Sequence, residues 1–431
     1  MRLAAWTRAR VLLDNPLVFP LLLLLTSVAG NSDCCAAAIL PFPGATSHVA
    51  GALLHQGRTI EAKELLETLL PVLESSLGAN HREVAICRFR LALCHSKLEQ
   101  YTEAERLLLT AQPAMESAFG ALHPQFAALL IERGNVYRLT GRLGDSEKVL
   151  RQALKIIETT LGPGSVLTGK AYGALGSTYY SMGQYLHSIS FFNRALGIFE
   201  KLHDQREAAV FWANLGNARF ASGQLKEAET AWRRALDAVD GLPELQPLRA
   251  STLTHLGGLK LLRGGRAEAE HLILEAAAIA KARRITGQEL LPILDGLARL
   301  YLSRGDFELA GKTYDRALAI ALSTLGPMHP DTAVLFQSSG SLRVLQKQFR
   351  EAEPFYTRAL ESVQTTLGER HPLYGTYLAE YAALLRKLKR KSEAKQAEDR
   401  LRAIREETRI QAFAGNTVDI HELHRQKSRN P

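Results

Sequence analysis

Apolar, small and polar positions recur along this chain with a period of about 42 residues. The clearest element is Gly, three residues, Glu and a small residue, as in GRTIEA from Gly57, GQLKEA from Gly223 and GDFELA from Gly305. The aligned small residues are Ala62, Ala104, Ser146, Ser188, Ala228, Ala269, Ala310, Ala352 and Ala394. Their gaps of 40 to 42 residues define nine repeats, and a regular period of this length is typical of a repeat architecture.

Each repeat carries two further small positions. Twelve residues before the aligned position stand Ala92, Gly134, Gly176, Gly216, Gly257, Ala298, Gly340 and Ala382. Seven residues after it stand Ala111, Ala153, Ala195, Ala235, Ala276, Ala317 and Ala359. The i, i+3, i+4, i+7 spacing predicts two amphipathic helices per repeat. Small residues let paired helices approach closely while large ones fill the spaces between pairs, so we predict an all-α fold.

A second phrase separates many of the repeats. It reads LGANHREVA from Leu77, FGALHPQFA from Phe119, LGPMHPDTA from Leu325 and LGERHPLYG from Leu367. We expect its Gly to end one helix in a left-handed conformation, and its Pro to begin the next. The residue before Pro favours an extended backbone, which breaks the helix. The His residues occur once per repeat, so we interpret them as turn residues rather than metal ligands.

These features resemble the tetratricopeptide repeat of kinesin light chains, including the Arg-Ala-Leu ending at Arg194, Arg234, Arg316 and Arg358. The resemblance covers about residues 43–411. It implies a right-handed superhelical solenoid of about nine helix–turn–helix repeats. The chain departs from the pattern between the fourth and sixth repeats, where LHDQRE, LPELQP and ITGQEL replace the linker, and we expect the local curvature to change there. No heptad region is visible, so a role in motor cargo transport is not implied.

The resemblance also implies a concave groove lined by the first helix of each repeat, at its second, fifth, ninth and twelfth residues. These positions and one adjoining residue give the predicted partner-binding set: Asn135, Arg138, Ser177, Tyr180, Asn214, Asn217, Phe220 and Arg299. Asn both donates and accepts hydrogen bonds, so it can hold the backbone of an extended peptide, and the aromatic rings can take an apolar side chain. Each Asn can equally be a packing residue bonded to a neighbouring helix.

Catalytic phrases are absent from the sequence. There is no HExxH, GxSxG, phosphate-binding loop or GxGxxG after a strand, so we predict no catalytic residue, no cofactor and no enzymatic activity. The segment DIHELH from Asp419 to His424 has metal-binding residue types, but it lies in a polar tail, and we predict no metal. We predict a non-catalytic scaffold that binds a protein or an extended peptide. The alternative is a regulatory or sensing module that acts through a separate effector chain.

The net charge of +9 is concentrated at the C-terminal end. Residues 386–431 carry +6, whereas residues 31–385 carry +1. A nearly neutral body predicts no nucleic-acid partner. We interpret the helix at about 391–411 as a polar cap of the array, with one apolar stripe of Ala394, Ala397, Leu401 and Ile404. Residues 412–431 are expected to form a polar, basic, disordered tail.

The first 30 residues have the pattern of an export signal. Three Arg precede an apolar run of about 14 residues, shorter than the ~20 that span a bilayer, and small residues follow. We predict a cleaved signal peptide over 1–30, a flexible leader over 31–42, and a periplasmic or secreted protein. The alternative is an uncleaved N-terminal anchor, in which case the protein contacts a membrane.

Four cysteines remain: Cys34, Cys35, Cys87 and Cys94. On one predicted helix Cys87 and Cys94 would lie ~10.5 Å apart along the axis, too far for a disulfide. We therefore predict that Cys94 is a small core residue. Cys34 and Cys35 lie in the leader, where pairing to another chain stays open.

Overall fold

The computed structural model describes residues 43–415, with side chains over 48–54 and 56–406. Eighteen α-helices and two short 3-10 turns make up the secondary structure of this part, which contains no strand. The predicted all-α repeat solenoid is confirmed, with two helices for each of the nine repeats. The helices group into an N-terminal unit, Met1–Leu175, and a C-terminal unit, Gly176–Pro431. The predicted signal peptide, the predicted leader and the segment DIHELH lie outside the described residues.

The helices of the N-terminal unit are α1 (Pro43–His55), α2 (Thr59–Leu77), α3 (Arg82–Lys97), α4 (Tyr101–Phe119), α5 (Pro124–Leu139), α6 (Leu143–Thr160) and the first part of α7 (Val166–Ser181). The C-terminal unit continues with α8 (Tyr185–Lys201), α9 (Gln205–Ala221), α10 (Leu225–Ala238), α11 (Gln246–Leu262), α12 (Arg266–Arg283), α13 (Leu291–Arg304), α14 (Phe307–Thr324), α15 (Pro330–Leu345), α16 (Phe349–Thr366), α17 (Pro372–Lys387) and α18 (Lys391–Gly415). Odd-numbered helices are the first helices of the repeats, and even-numbered helices are the second.

In five repeats a large side chain of the second helix packs on a glycine of the first helix, sixteen positions earlier. Trp232 lies so close to Gly216 that a Cβ there would be 2.4 Å from the indole Cδ1. Gly176 meets Phe192 and Gly257 meets Ile273 in the same way, at 2.6 Å. Glycine at these positions is therefore a packing requirement, because a larger residue would displace the side chain that fills the repeat.

The four His residues of the linker begin helices, as predicted for turn residues. His81, His123, His329 and His371 each precede the first residue of a first helix in an extended conformation. In each case Nδ1 accepts the backbone N–H two residues on, at 3.1–3.2 Å. The imidazole thus satisfies one of the free N–H groups of a helix N-terminus, as Ser or Asp does elsewhere.

The glycines that end the second helices have positive φ, but two of them differ from the expected left-handed helical conformation. Gly78 and Gly120 have φ of 86° and 93° with ψ of 152°. This region is open essentially to glycine alone, since a Cβ would clash with the backbone. The linkers that depart from the pattern are built differently. Asp204 caps α9, and 3-10 turns at Pro243–Leu245 and Gly287–Leu290 precede α11 and α13.

Acidification is expected to destabilise the last repeat through His371. This cap is the only buried one of the four His, at 6% exposure, and burial lowers its pKa to about 4. In the unfolded chain this His takes up a proton at about pH 6.5, whereas in the folded protein it does so only near pH 4. The contribution of His371 to folding stability is therefore complete above about pH 6.5 and is lost as the pH falls towards 4. The loss reaches up to about 3 kcal/mol.

The check is urea unfolding of the wild type and of His371→Asn, followed by circular dichroism at about pH 7 and about pH 4.5. Asn keeps an acceptor at the cap but does not titrate in this range. The variant should therefore lose less stability on acidification than the wild type. An identical pH dependence for the two proteins would show that His371 is not the titrating group.

The last helix pair ends the array with a polar face. Glu398 occupies the position of Trp232 in the repeat, and it is paired with Arg386 at 2.6 Å. Ala394, Leu401 and Ile404 are buried, which confirms the predicted apolar stripe. Helix α18 continues to Gly415, four residues past the predicted end of the solenoid.

The described cysteines are core residues. Cys87 and Cys94 are both fully buried and free. The absence of a disulfide between them and the burial of Cys94 agree with the predictions. Burial raises the pKa of Cys87 to about 12 and that of Cys94 to about 11. Both thiols therefore stay protonated at neutral pH and are poor nucleophiles. None of the described helices combines the length and the apolarity that crossing a membrane requires.

Candidate functional site on the inner faces of the first helices

The first helices form the inner face of each unit. In the N-terminal unit α1 contacts α3 and α3 contacts α5; in the C-terminal unit α9 contacts α11 and α11 contacts α13. Among the described helices, neighbouring second helices do not pack on each other to this extent. First helices therefore lie inside the curve of each unit, and a ligand in the groove would meet their side chains.

The predicted residues fall into separate sets. Asn135 and Arg138 belong to α5 of the N-terminal unit, where both are half-buried, and Asn135 Nδ2 donates to Glu132 at 3.4 Å. The other six lie on first helices of the C-terminal unit. Of these, Ser177, Asn214 and Asn217 are half-buried, and Tyr180, Phe220 and Arg299 present larger exposed surfaces.

Asn217 is engaged in packing. Its Oδ1 accepts the indole N–H of Trp232 at 2.9 Å, so the structure supports the second of the two roles left open for it. Phe220 lies on the same tryptophan, with ring centroids 5.7 Å apart. The carbonyl oxygen of Asn217 is thus committed to the repeat, while its amide can still donate.

Trp232 connects these residues to the next repeat. The ring of His255 on α11 stacks on the indole at 5.7 Å. Burial lowers the pKa of His255 to about 4, and the positive charge of Arg299 on α13 acts in the same direction. His255 is therefore neutral at physiological pH. Phe220 and Trp232 belong to one repeat, and His255 and Arg299 belong to the next two. We call these four residues the inner stripe.

Arg299 is the charged end of the inner stripe. Its Nε donates to Asp295 Oδ2 at 2.8 Å, and this carboxylate raises the pKa of the guanidinium. The side chain of Arg299 is 49% exposed, whereas that of Asp295 is 21% exposed. The other carboxylate oxygen, Oδ1, is buried without a hydrogen-bond partner among the described residues. Asp295 thus orients an arginine whose remaining N–H groups can donate to a carbonyl or carboxylate.

Tyr180 lies on the inner face at the end of α7. Its side chain is 38% exposed, yet desolvation raises its pKa, because a concave wall of protein surrounds it. Asp331, at the start of α15, adds to the increase. Curvature of the C-terminal unit therefore brings the end of α7 near helices several repeats later in the chain.

Sequence reasoning missed three members of this site. His255 lies two residues before the small position Gly257, outside the groove positions that the resemblance implied. Asp295 was detectable, since it lies four residues before Arg299 and so shares its helix face. Trp232 belongs to a second helix, and only its approach to Asn217 brings its indole N–H to the inner face.

The N-terminal unit has a pocket of about 180 Å³ on its inner face. Its walls come mainly from α1, α3 and α5, with one residue of α4. They are formed by His48, Arg82, Glu83, Ile86, Phe89, Arg90, Met115, Gln125 and Ala128. This volume suits a single side chain rather than a whole small ligand, since pockets for such ligands are usually ~300 Å³ or more. Among the described residues, no group of His, Cys, Asp and Glu is arranged to hold a metal ion.

The fold and its repeating small–large contacts define the class of protein, an all-α repeat solenoid. The sequence pattern of the tetratricopeptide repeat family matches residues 44–117, 125–201, 289–362 and 336–407, which is more than half of the chain. The chain therefore belongs to the tetratricopeptide repeat family. Residues 202–288 lie outside these matches, and they contain the first two departing linkers and most of the third.

Individual proteins agree with this assignment. The protein kinesin light chain-related 1 of Arabidopsis thaliana is 24% identical over 230 residues, which are 52% of this chain and 37% of that protein. The chain thus spans little more than a third of that relative.

Two solved structures share the fold. A Rap protein complexed with competence and sporulation factor has a TM-score of 0.61 at 16% identity, over 85% of this chain and 98% of that one. The apo quorum sensor NprR of B. thuringiensis has a TM-score of 0.57 at 14% identity, over 83% and 97%.

Proposed function

We propose that this protein is a non-catalytic scaffold that binds an extended segment of a partner protein on the inner face of its C-terminal unit. The observation that carries the proposal is the inner stripe, where aromatic surface, a neutral imidazole and a half-exposed arginine follow one another across three repeats. Because these residues lie on successive repeats, each can contact a different stretch of an extended peptide. A compact ligand would not reach from one end of the inner stripe to the other.

The chemistry of the inner stripe suits a peptide. Phe220 offers apolar surface to a side chain, and Arg299 can donate to a backbone carbonyl or a carboxylate. Asn217 keeps its amide N–H groups free to donate in the same region. These groups hold and orient a chain, but they include no nucleophile paired with a base, so the proposal includes no catalysis.

A second candidate is a sensing module that passes the binding signal to a separate effector chain. The likeness in fold to a Rap protein complexed with competence and sporulation factor, and to a quorum sensor, favours it. Both candidates place the ligand on the inner face, and they differ in whether binding changes the contact with another chain. From the first 30 residues we also propose that the protein acts after export, with N-terminal anchoring as the alternative.

Arg299→Gln is expected to weaken peptide binding. Peptides would be selected from a random phage-displayed library on the purified full chain, and their affinities measured by fluorescence anisotropy. Hydrogen bonds from a charged donor contribute enough that the loss should be roughly 10- to 100-fold.

The matched control is Arg316→Gln, which removes the same charge from an exposed position on the second helix of the same repeat. It should leave the affinity within a factor of about two, because distant surface charges contribute little. Selection of no peptide, or equal losses in the two variants, would refute the proposed site.

A further inference from the structure

One turn of the C-terminal unit is in contact with a helix far along the chain. The turn from α7 to α8 contains Gly183, and the start of α17 contains His371 and Pro372. A Cβ on Gly183 would lie 2.4 Å from Pro372 Cδ and 3.1 Å from His371 Nε2. The two segments thus touch through the bare backbone of one and two side chains of the other.

Gly183 differs in this respect from its counterparts in the other repeats. All nine residues at this turn position have positive φ, and three of them, Glu99, Lys347 and Lys389, are not glycine. The turn itself therefore tolerates a side chain. At Gly57, Gly223, Gly264 and Gly305 an added Cβ would meet nothing within 4 Å. Only the approach of α17 explains why a Cβ is excluded at Gly183.

His371 shows the other side of the same contact. It shares the cap geometry of three other His residues, but it alone is buried. Because Nδ1 accepts the N–H of Leu373, the proton of the neutral ring is on Nε2, beside the backbone of Ser181. The end of α7 thus contributes to the burial of this imidazole.

Helices α7 to α17 pack in chain order, and this contact joins the last of them to the first. The contact thus brings the two ends of this run of helices together, with the first helices on the inside of the curve. The inner stripe, including Arg299, lies on that inner side. An extended chain that enters this curve from the side, between the end of α7 and the start of α17, must pass this contact.

We infer that the contact of Ser181 and Gly183 with His371 and Pro372 is a clasp that controls access of a peptide to the inner face. This inference rests on the proposed function, since it concerns the regulation of the same site. The clasp is small, because it consists of a single turn that lies against the start of a single helix. It can therefore open while the packed repeats stay folded, because local opening costs less than global unfolding.

The test measures access without relying on any bound ligand. Arg299→Cys places a thiol on the inner face, and its reaction with a maleimide-carrying Gly/Ser peptide is compared with its reaction with N-ethylmaleimide. Mass spectrometry of the fragment containing residue 299 reads each rate separately from the native cysteines. In this background Gly183→Ala should speed reaction with the peptide reagent roughly tenfold or more, because a bulky reagent reacts only with the open population. The rate with N-ethylmaleimide should change little.

Gly223→Ala is the matched control, because its φ of 83° imposes similar backbone strain in open space. It should leave both rates unchanged. If Gly183→Ala reduces helix content, His371→Ala opens the clasp from the other side, with His123→Ala as the control for a lost cap. Equal rates in clasp and control variants would overturn the clasp. If the clasp variants react faster with the peptide reagent but the phage library yields no binding peptide, the proposed function is refuted and the clasp is supported.

Discussion

Replacing Trp232 with alanine is expected to lower the free energy of unfolding of the C-terminal unit by about 3–5 kcal/mol. The indole is 2% exposed and lies against Gly216, Phe220 and His255. Alanine leaves a cavity between two helices that are already at close approach and cannot collapse further. It also leaves Asn217 Oδ1 without its donor at a half-buried position.

Urea unfolding followed by circular dichroism measures this loss, and hydrogen exchange locates it in α9 to α11. Trp212→Ala is the matched control on α9, since that indole is only half-buried and lies under the guanidinium of Arg234 at 4.6 Å. Its loss should be clearly smaller, because less surface returns to water and a smaller cavity remains. A larger loss at Trp212 would contradict the role assigned to Trp232.

Gly216→Leu is expected to destabilise the same unit by about 1–3 kcal/mol, because it inserts side-chain atoms where the indole already lies 2.4 Å from the Cβ position. Urea unfolding again measures the loss. Gly258→Leu is the control, since this helical glycine has nothing within 4 Å of its Cβ position. There leucine should be neutral or stabilise by up to about 1 kcal/mol, because it favours the helix more than glycine does.

The double variant Gly216→Leu with Trp232→Ala tests whether the two positions act through one contact. Leucine at 216 can occupy part of the space that the indole leaves, so the double variant should lose less stability than the two single variants added together. Strict additivity would show that Gly216 and Trp232 destabilise the protein through independent causes.

Local periodicity made much of the fold predictable. The small positions are fully buried wherever the repeat predicted them, from Ala62 to Ala352, because helix pairing depends on spacing within about 42 residues. The His residues of the linker were correctly assigned to turns, although their role as hydrogen-bond acceptors was not foreseen. That role depends on imidazole Nδ1 reaching a backbone N–H two residues on, which the pattern LGxxHP does not specify.

The candidate site was less predictable. Groove positions from the resemblance identified Phe220 and Arg299, yet they missed His255, which stacks on Trp232 from the next repeat. They also could not decide the role of Asn217, since one carbonyl oxygen can serve either a ligand or a neighbouring indole. Contacts between adjacent repeats depend on side-chain rotamers as well as on spacing, and spacing alone is visible in a sequence.

The sequence by itself determined the repeat period, the helix pairs, the small–large packing positions and the polar last helix, because each follows from residues close together in the chain. Only the tertiary structure decided that Gly183 meets Pro372 and that His371 is buried beside the end of α7. These contacts join residues more than 150 positions apart. Their geometry is the sum of the small rotations from one repeat to the next, and no local pattern encodes that sum.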